Sequence, residues 1–587
     1  MDTSHTDMKV EYGSDLIAEA IREQGFPYIA LNPGASYRGL HDSLVNYLGN
    51  ETPEIITCMH EEHAVGIAQG YAKVTDTALA VAVHSNVGLM HASVGLFNAW
   101  CDRTPMVVIG ATGPVDAAKR RPWIEWIHTT TDQGGMVRGY TKWDDQPGSA
   151  EAAVESVRRG TQIANSRPNG PVYINMDVGI QEAKLGDRPA LEDISLFPPQ
   201  PDAEPPITEL ARAIEILSNA KKPFIFCGRG LRSDAAWADR IRLAELLGAR
   251  TATHMKLAAG FPTTHPAFAG ETGWKLKGTL LEEIQDADAI LMLDWLDAGN
   301  TVKLAFPPGM PRPPVINISN DMIIHRGWNM DYGGLTAADV HIPTVPETTV
   351  RRLVEHFEAE RGTDTPAAER KRWDVPQIKA SGEIGLMDLA HAFHHASKDE
   401  KISITGRPLG WPTNGNEIDH PLGFLGHTGG GGLGAGPSIG VGAALGLREL
   451  GSDRIAVALL GDGDYTMGLT SIWNAATLEL PILFLLANNH SYYNDEDHQI
   501  KLARKRGRDE SRAPIGQRMQ GPEPDLPALA RGLGLEAPDS VHDLADLPAA
   551  LEKAFERVKA GAAYVLDVQV RPEYIGTDMV ALGVKRS

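Results

Sequence analysis

Asp462 stands between two glycines, in Gly461-Asp462-Gly463, directly after an apolar run at 455–460. Asn488 and Asn489 close the next apolar run, 482–487. One helix, 465–480, is expected to join the two runs, which makes them neighbouring parallel strands. Their carboxyl ends then bring an Asp carboxylate and an Asn amide oxygen to face one point. Hard oxygen donors suit Mg²⁺ or Ca²⁺, not zinc, and Mg²⁺ leaves much of its shell to phosphate and water. The glycines let the backbone turn tightly beside a ligand. A Gly-Asp-Gly turn also exists without any ligand; the Asn pair at the next strand end argues for a site.

Other strand ends are equally polar. Run 28–31 ends in Asn32-Pro33-Gly34, run 55–59 in His60-Glu61, and run 79–83 in His84-Ser85-Asn86. Glu61 opens a helical stretch, where the helix dipole favours an acid in any case. Gly66, Ala68, Gly70 and Ala72 follow it, small residues that allow close backbone approach. The run at 429–436 formally contains GxGxxG at Gly429, Gly431 and Gly434. A nicotinamide site would need a strand before it and an acid about 20 residues later. The preceding DHPLGFLGHT makes a poor strand, so a loop hugging some other cofactor is the better reading.

The elements that must position these groups follow a regular rhythm of apolar strand, turn and amphipathic helix. It runs through 28–31, 55–59, 79–83, 106–109 and 172–176, resumes at 223–227, 289–293 and 315–318, and returns at 402–404, 455–460, 482–487 and 564–570. Alternating strands and helices imply parallel sheets with helices on both faces. Proline-rich 184–207 and polar 358–375 read as linkers. The fold expected is therefore α/β, with three doubly wound parallel-sheet domains at 1–187, 188–365 and 366–587.

Composition narrows the function. The 587 residues carry 55 Lys+Arg against 76 Asp+Glu, a net charge of −21. That argues against nucleic acid or an anionic membrane as a partner. Apolar residues at 42% are ordinary for a globular chain. Three cysteines without a CxxC exclude a disulfide scaffold and fit a reducing, cytoplasmic setting. The polar N-terminus is not a signal peptide, and no apolar run reaches the ~20 residues that span a bilayer.

Taken together, these motifs resemble the thiamine diphosphate (ThDP) enzymes of the acetolactate synthase and 2-oxo acid decarboxylase superfamily, over nearly the whole chain. The carriers are GDGDYTMGLTSIWNAATLELPILFLLANN (461–489) and His60-Glu61 followed by AVGIAQGYA (64–72). Asn32-Pro33-Gly34, HSNVG (84–88) and FNAW (97–100) are similar to benzoylformate decarboxylase-like members. The resemblance implies pyrimidine-binding, central and diphosphate-binding domains in that order. It implies Mg²⁺ on Asp462, the Asn489 side chain and the Ser491 carbonyl, with Gly461, Gly463 and Asp464 lining the diphosphate. Leu433 would prop the bent cofactor and Glu61 would hydrogen-bond its aminopyrimidine ring. It also implies an active site shared between subunits, hence a homodimer or homotetramer. FAD, present in some members, has no independent sign here.

Some positions depart from the family pattern. Ala35 replaces the serine after Asn-Pro-Gly, with Ser36 one place later, and Asp464 replaces a common serine. No second active-site histidine appears near 294–301, and Thr112 stands where many carboligases have glutamine. His84 is the leading acid/base candidate, with His427 and His490 behind it. The expected activity is carbon–carbon bond cleavage in a 2-oxo acid or a 2-hydroxy ketone, both small molecules. Carboligation of the acetolactate synthase type and diketone hydrolysis use the same cofactor chemistry. A regulatory subunit without turnover would be expected to lose Glu61 or the Asp462/Asn489 pair, and both are present.

Overall fold

The structure is a computed structural model; it describes residues 9–122, 124–186, 189–273, 276–324, 334–362 and 368–573. They divide into two compact units. The first holds the described residues up to 202, residues 323 and 324, and 428–446; the second holds 203–322, 334–427 and 447–573.

In the first unit six strands form one parallel sheet. They are β1 (Tyr28–Leu31), β2 (Glu54–Thr57), β3 (Leu79–Ala82), β4 (Met106–Thr112), β5 (Trp143–Asp145) and β6 (Pro171–Asp177), in the order β2-β1-β3-β4-β6-β5. β1, β3, β4 and β6 are buried along their whole length, because helices cover both faces. Leu31 lies opposite both Thr57 and Ala82, so β1, β2 and β3 end level with one another. That register brings Asn32, Glu61 and His84 to one sheet edge.

Two helices frame that edge. α1 (Glu61–Thr75) leaves β2 and α2 (Asn86–Asp102) leaves β3. A buried ion pair, Lys73 Nζ to Asp102 at 2.6 Å, joins them, and Gln69 Nε2 donates to the same carboxylate at 2.7 Å. A third helix, α3 (Gly436–Glu449), crosses α1 in this unit at very short range. A Cβ on Gly70 would stand 2.1 Å from the Ile439 carbonyl oxygen, and one on Gly442 would stand 2.0 Å from that of Ile67. The small residues of α1 therefore serve a helix crossing in which backbone meets backbone. Gly70→Ala is expected to lower the melting temperature by an amount equivalent to about 1–3 kcal/mol, since neither carbonyl can swing away. Gly532→Ala is the control: its Cβ meets nothing within 4 Å and should leave stability unchanged or slightly raised.

The second unit holds two parallel sheets. β7 (Pro223–Cys227), β8 (Arg250–His254), β9 (Phe268–Thr272), β10 (Ala289–Leu293), β11 (Val315–Ile318) and β12 (Val340–Ile342) run in the order β12-β11-β10-β7-β8-β9. β13 (Ile402–Gly406), β14 (Ile455–Gly461), β15 (Ile482–Asn488) and β16 (Ala563–Gln569) run in sequence order. A buried Arg407–Glu271 ion pair at 3.1 Å and the mutual bonding of Thr263 and Ile418 tie one sheet's loops to the other's.

Three parallel sheets flanked by helices are the expected α/β class. Four strands were not foreseen: β5, β8, β9 and β12. Each is short or mixed in polarity (WDD, RTATH, FAGET, VHI), and β5, β9 and β12 lie at sheet edges, where one side of the strand has no neighbour. The 358–375 linker is also corrected at its start, because helix Pro346–Arg361 runs into it. Its later part is pinned, with Lys371 N–H donating to the Thr264 carbonyl. The 184–207 segment is largely irregular where described, with one short 3-10 turn at Ile194–Leu196.

Candidate functional site

At the first unit's sheet edge, His60 is the N-cap of α1 in extended conformation, and its Nδ1 accepts the Glu62 N–H at 3.1 Å. The helix thus begins at Glu61, a residue only 5% exposed. Gly88 of α2 makes room for it: a Cβ there would lie 2.9 Å from Glu61 Oε1 and 2.9 Å from the His84 Cβ. His91, one turn further along α2, places Nδ1 3.1 Å from Glu61 Oε2.

His84 lies on the other side of Gly88. Its Nδ1 shares a 2.7 Å hydrogen bond with Ser36 Oγ, which also accepts the Ser85 N–H at 3.1 Å. The serine one place beyond the family position therefore still reaches the histidine. Gly34 is required there, since a Cβ would stand 2.7 Å from the imidazole. The His128 ring packs edge-on at 4.8 Å. Burial, then the neighbouring His128, holds His84 below the usual imidazole pKa. A neutral imidazole anchored at one nitrogen can hold or accept a proton at the other.

The glycine run packs against α2. Cβ atoms on Gly429 and Gly430 would collide with Asn98, Asp102 and Phe97, and one on Gly432 with Val94. These three glycines answer to a helix of their own unit, while Gly431 faces open space. No strand leads into the run, which disposes of the nicotinamide reading. Leu433, at 44% exposure, is an uncovered apolar side chain on this loop.

In the second unit, Gly461 lies opposite Ala487, so β14 and β15 end together as expected. Asp462 Oδ2 and Asn489 Oδ1 both accept the Ser491 N–H, at 3.2 and 2.9 Å. The two side chains therefore converge. Asp462 Oδ1 also accepts the Gly463 N–H at 3.0 Å. Asp462 is 3% exposed, and among the described residues no Lys or Arg lies within ion-pair distance of it. Burial pushes its carboxyl up to about 6. A buried carboxylate hydrogen-bonded by neutral N–H donors is suited to holding a cation.

Gly-Asp-Gly is not a free turn. Gly461 is the extended N-cap of α4 (Asp462–Met467), and the expected single helix to residue 480 is broken into three short pieces at Gly468 and Ile472. Gly463 admits Tyr492, whose ring carbon would lie 2.7 Å from a Cβ; Gly461 borders open space. Asp464 sits in the first turn of α4. Ser491 is locked by its hydroxyl, which donates to Glu496 at 2.7 Å, and Glu496 is in turn held by Arg518. His490 Nε2 lies 2.5 Å from Gln569 Oε1. His427 lies in this unit, its N–H donating to the Lys256 carbonyl.

Sequence reasoning named His60 only as the strand-end neighbour of Glu61 and Gly88 only as the last residue of HSNVG, and passed over His91. Helical spacing carried a signal for two of them, since Gly88 and His91 share one face of α2 at i, i+3. The Glu496–Arg518 clamp left no local signature.

Two buried histidines outside any ligand set shape the response to acid. His63 and His394 are each 5% exposed, and burial first, then neighbouring histidine, pushes each down to about 4. The unfolded chain protonates them near 6.5. Above that pH they cost nothing; between 6.5 and 4 the unfolded state takes up protons that the fold refuses. Stability should fall across that window, by about 2 kcal/mol per histidine at pH 5. Thermal melts at pH 7.5 and 5 should show the drop, and His394→Gln should flatten it.

Family models match all three parts of the chain. The N-terminal TPP (thiamine pyrophosphate, that is, ThDP) binding domain of thiamine pyrophosphate enzymes covers residues 12–136, the central domain 210–324 and the C-terminal TPP binding domain 405–568. The chain belongs to the thiamine pyrophosphate enzymes. Within that family it is 21% identical to a probable acetolactate synthase large subunit of Methanocaldococcus jannaschii, over 95% of this chain and 92% of that one. It is 24% identical to benzoylformate decarboxylase of Pseudomonas aeruginosa, over 88% and 92%. Among solved structures, a thiamine diphosphate-dependent 4-hydroxybenzoylformate decarboxylase of Rhodococcus jostii RHA1 shares the fold with a TM-score of 0.75 at 21% identity, covering 95% of this chain and 99% of that one. No helix among the described residues is long and apolar enough to cross a membrane.

Proposed function

We propose that this protein is a ThDP- and Mg²⁺-dependent lyase that cleaves the carbon–carbon bond beside the ketone of a 2-oxo acid or 2-hydroxy ketone, and releases an aldehyde. The single observation that carries the reading is the convergence of Asp462 and Asn489 oxygens on one point, with the Asp462 carboxylate buried. Those two side chains, with the Ser491 carbonyl, would hold Mg²⁺. Gly461, Gly463 and Asp464 would line the diphosphate, and Leu433 would support the cofactor from below. When bound, ThDP supplies an electron sink for the carbon–carbon bond that breaks.

The chain's own residues do the rest. Glu61, buried and steadied by His91, holds a proton at a carboxylate oxygen and shares it with the aminopyrimidine. His84, oriented by Ser36, moves a proton at its free ring nitrogen to or from substrate. His427 is a second proton carrier. We read the domains as 1–187, 188–365 and 366–587, assembled as a cytoplasmic homodimer or homotetramer with its active site between subunits.

The Ser36–His84 pair favours protonation as the fate of the cleaved fragment, hence decarboxylation. Carboligation is the second reading, favoured by the acetolactate synthase relatives. A panel of aliphatic and aromatic 2-oxo acids and acyloins, followed for CO₂, aldehyde and ligated ketone together, separates them. CO₂ with equimolar aldehyde supports the first reading, and CO₂ with ligated product the second. No turnover despite bound cofactor moves the assignment to diketone hydrolysis or a non-catalytic subunit.

A further inference from the structure

We propose that a cavity at the amino edge of the β13–β14 pair is a binding site for inorganic phosphate, with Arg454 and Asn416 as its principal contacts.

The cavity, of about 40 Å³, lies wholly in the second unit. Its walls come from the end of helix Leu386–Ser397, from the loop 416–423 and from Arg454, the residue before β14. Ile402 and Ile455 pair at this edge. The length of β14, about 23 Å at the usual rise per residue, separates it from Asp462. An anion bound here is therefore not the cofactor's diphosphate.

Asn416 is the observation that points to a ligand. It is 2% exposed, and neither its Oδ1 nor its Nδ2 has a hydrogen-bond partner among the described residues. A buried amide left unpaired is costly. The chain on its carboxyl side is pinned, so the side chain is not free to seek partners elsewhere. Glu417 accepts the Trp373 N–H at 2.6 Å, and the Ile418 N–H donates to Thr263 Oγ1 at 2.9 Å. Whichever way the amide is turned, it offers one donor group and one acceptor.

Arg454 supplies the charge. Its Nε donates to Ser403 Oγ at 3.1 Å and its Nη2 to the Ile402 carbonyl, which leaves Nη1 for a ligand. Asp419, Asp453 and Asp234 act on it only through space, with no hydrogen bond from any of them. Burial accordingly holds the guanidinium below its ordinary pKa, as befits a cation short of a close counter-charge. Other charges around the cavity are mostly spoken for. Arg372 pairs with Glu417 at 3.3 Å and Glu400 with Lys559 at 2.6 Å. Lys398 and Asp419 are exposed at the rim.

The groups present select the ion. The cavity has room for roughly three water molecules, which suits one small oxyanion. Arg454 Nη1 and Asn416 Nδ2 donate to oxygens, with Lys398 adding charge from the rim. Asn416 Oδ1 needs a donor in return. Inorganic phosphate keeps at least one P–OH near neutral pH and can supply it; sulfate has none. The proposal is independent of the activity assigned above.

The test titrates inorganic phosphate by calorimetry into the full-length protein saturated with ThDP and Mg²⁺, in a buffer free of phosphate and sulfate at pH 7.5. The expected result is one equivalent per chain. Asn416→Leu, similar in size, should weaken binding roughly tenfold or more, because it removes both a donor and an acceptor. Arg454→Gln should weaken it further, since its hydrogen bond to the anion is charge-assisted. Should Arg454→Gln fail to fold, Asn416→Leu and the exposed Lys398→Gln carry the test. Phosphate should raise the melting temperature of the wild type and leave that of Asn416→Leu nearly unmoved. Sulfate should bind the wild type at least tenfold more weakly than phosphate, and Asn416→Leu should narrow that gap. No saturable binding, or equal affinity in wild type and Asn416→Leu, would overturn the site and leave a cavity holding water only. Sulfate binding as tightly as phosphate, or glycerol phosphate binding more tightly, would overturn inorganic phosphate as the ligand.

Discussion

Glu61→Gln should slow exchange of the ThDP C2 proton by about 10²–10⁴-fold, the range general acid–base catalysis contributes, while leaving cofactor affinity nearly unchanged. The amide matches the carboxyl in size, so the cavity that Gly88 leaves beside Glu61 stays filled. What disappears is the ability to give up and recover a proton. Affinity comes from elsewhere, since the diphosphate and its metal are assigned to the second unit. The variant therefore separates activation from binding. Exchange measured by NMR on protein saturated with ThDP and Mg²⁺ decides it: an unaltered rate removes Glu61 from the role. A parallel loss of affinity would show that Glu61 holds the cofactor instead of activating it.

Asp462→Asn should raise the Kd for ThDP in Mg²⁺ by at least about 100-fold, close to 2.7 kcal/mol, with little effect on whatever weak binding persists in EDTA. The carboxylate is buried, takes N–H donors from Gly463 and Ser491, and is pushed up to about 6 by burial. An ionised group in that position is costly until a cation arrives. The metal-free variant should consequently be no less stable than the wild type, which a purely structural aspartate would not allow. Calorimetric titration with and without Mg²⁺, together with melting curves of both metal-free proteins, tests the two halves. An Asp462→Asn protein that binds ThDP with unchanged Mg²⁺ dependence would move the metal away from this strand end.

Much of this architecture was legible in the order of residues. Runs such as YIAL, AILML and IAVALLG are unbroken because a central parallel strand is covered on both faces, so burial writes itself into every position. The pairing of Asp462 with Asn489 was equally readable, since a strand–helix–strand unit whose strands are neighbours leaves their carboxyl ends side by side, as β14 and β15 do here. Edge strands such as WDD and VHI escaped because one flank has no partner and the burial pattern lapses. The fracture of the expected helix after Asp462 escaped because its cause is local geometry at Gly468, not periodicity.

The rest belongs to the tertiary structure. A glycine in a sequence says only that something comes close. Folding decided that Gly70 meets the backbone of α3, that Gly430 meets Phe97, and that Gly88 makes space for Glu61. The partners of Ser36 and His91 were undetermined for the same reason: each contact joins residues at least 30 positions apart, one between a turn and a strand end and the other between two helices, and only packing sets its distance. Residue types thus marked which cofactor the strand ends could hold, while packing alone selected the neighbours that tune its activating carboxylate.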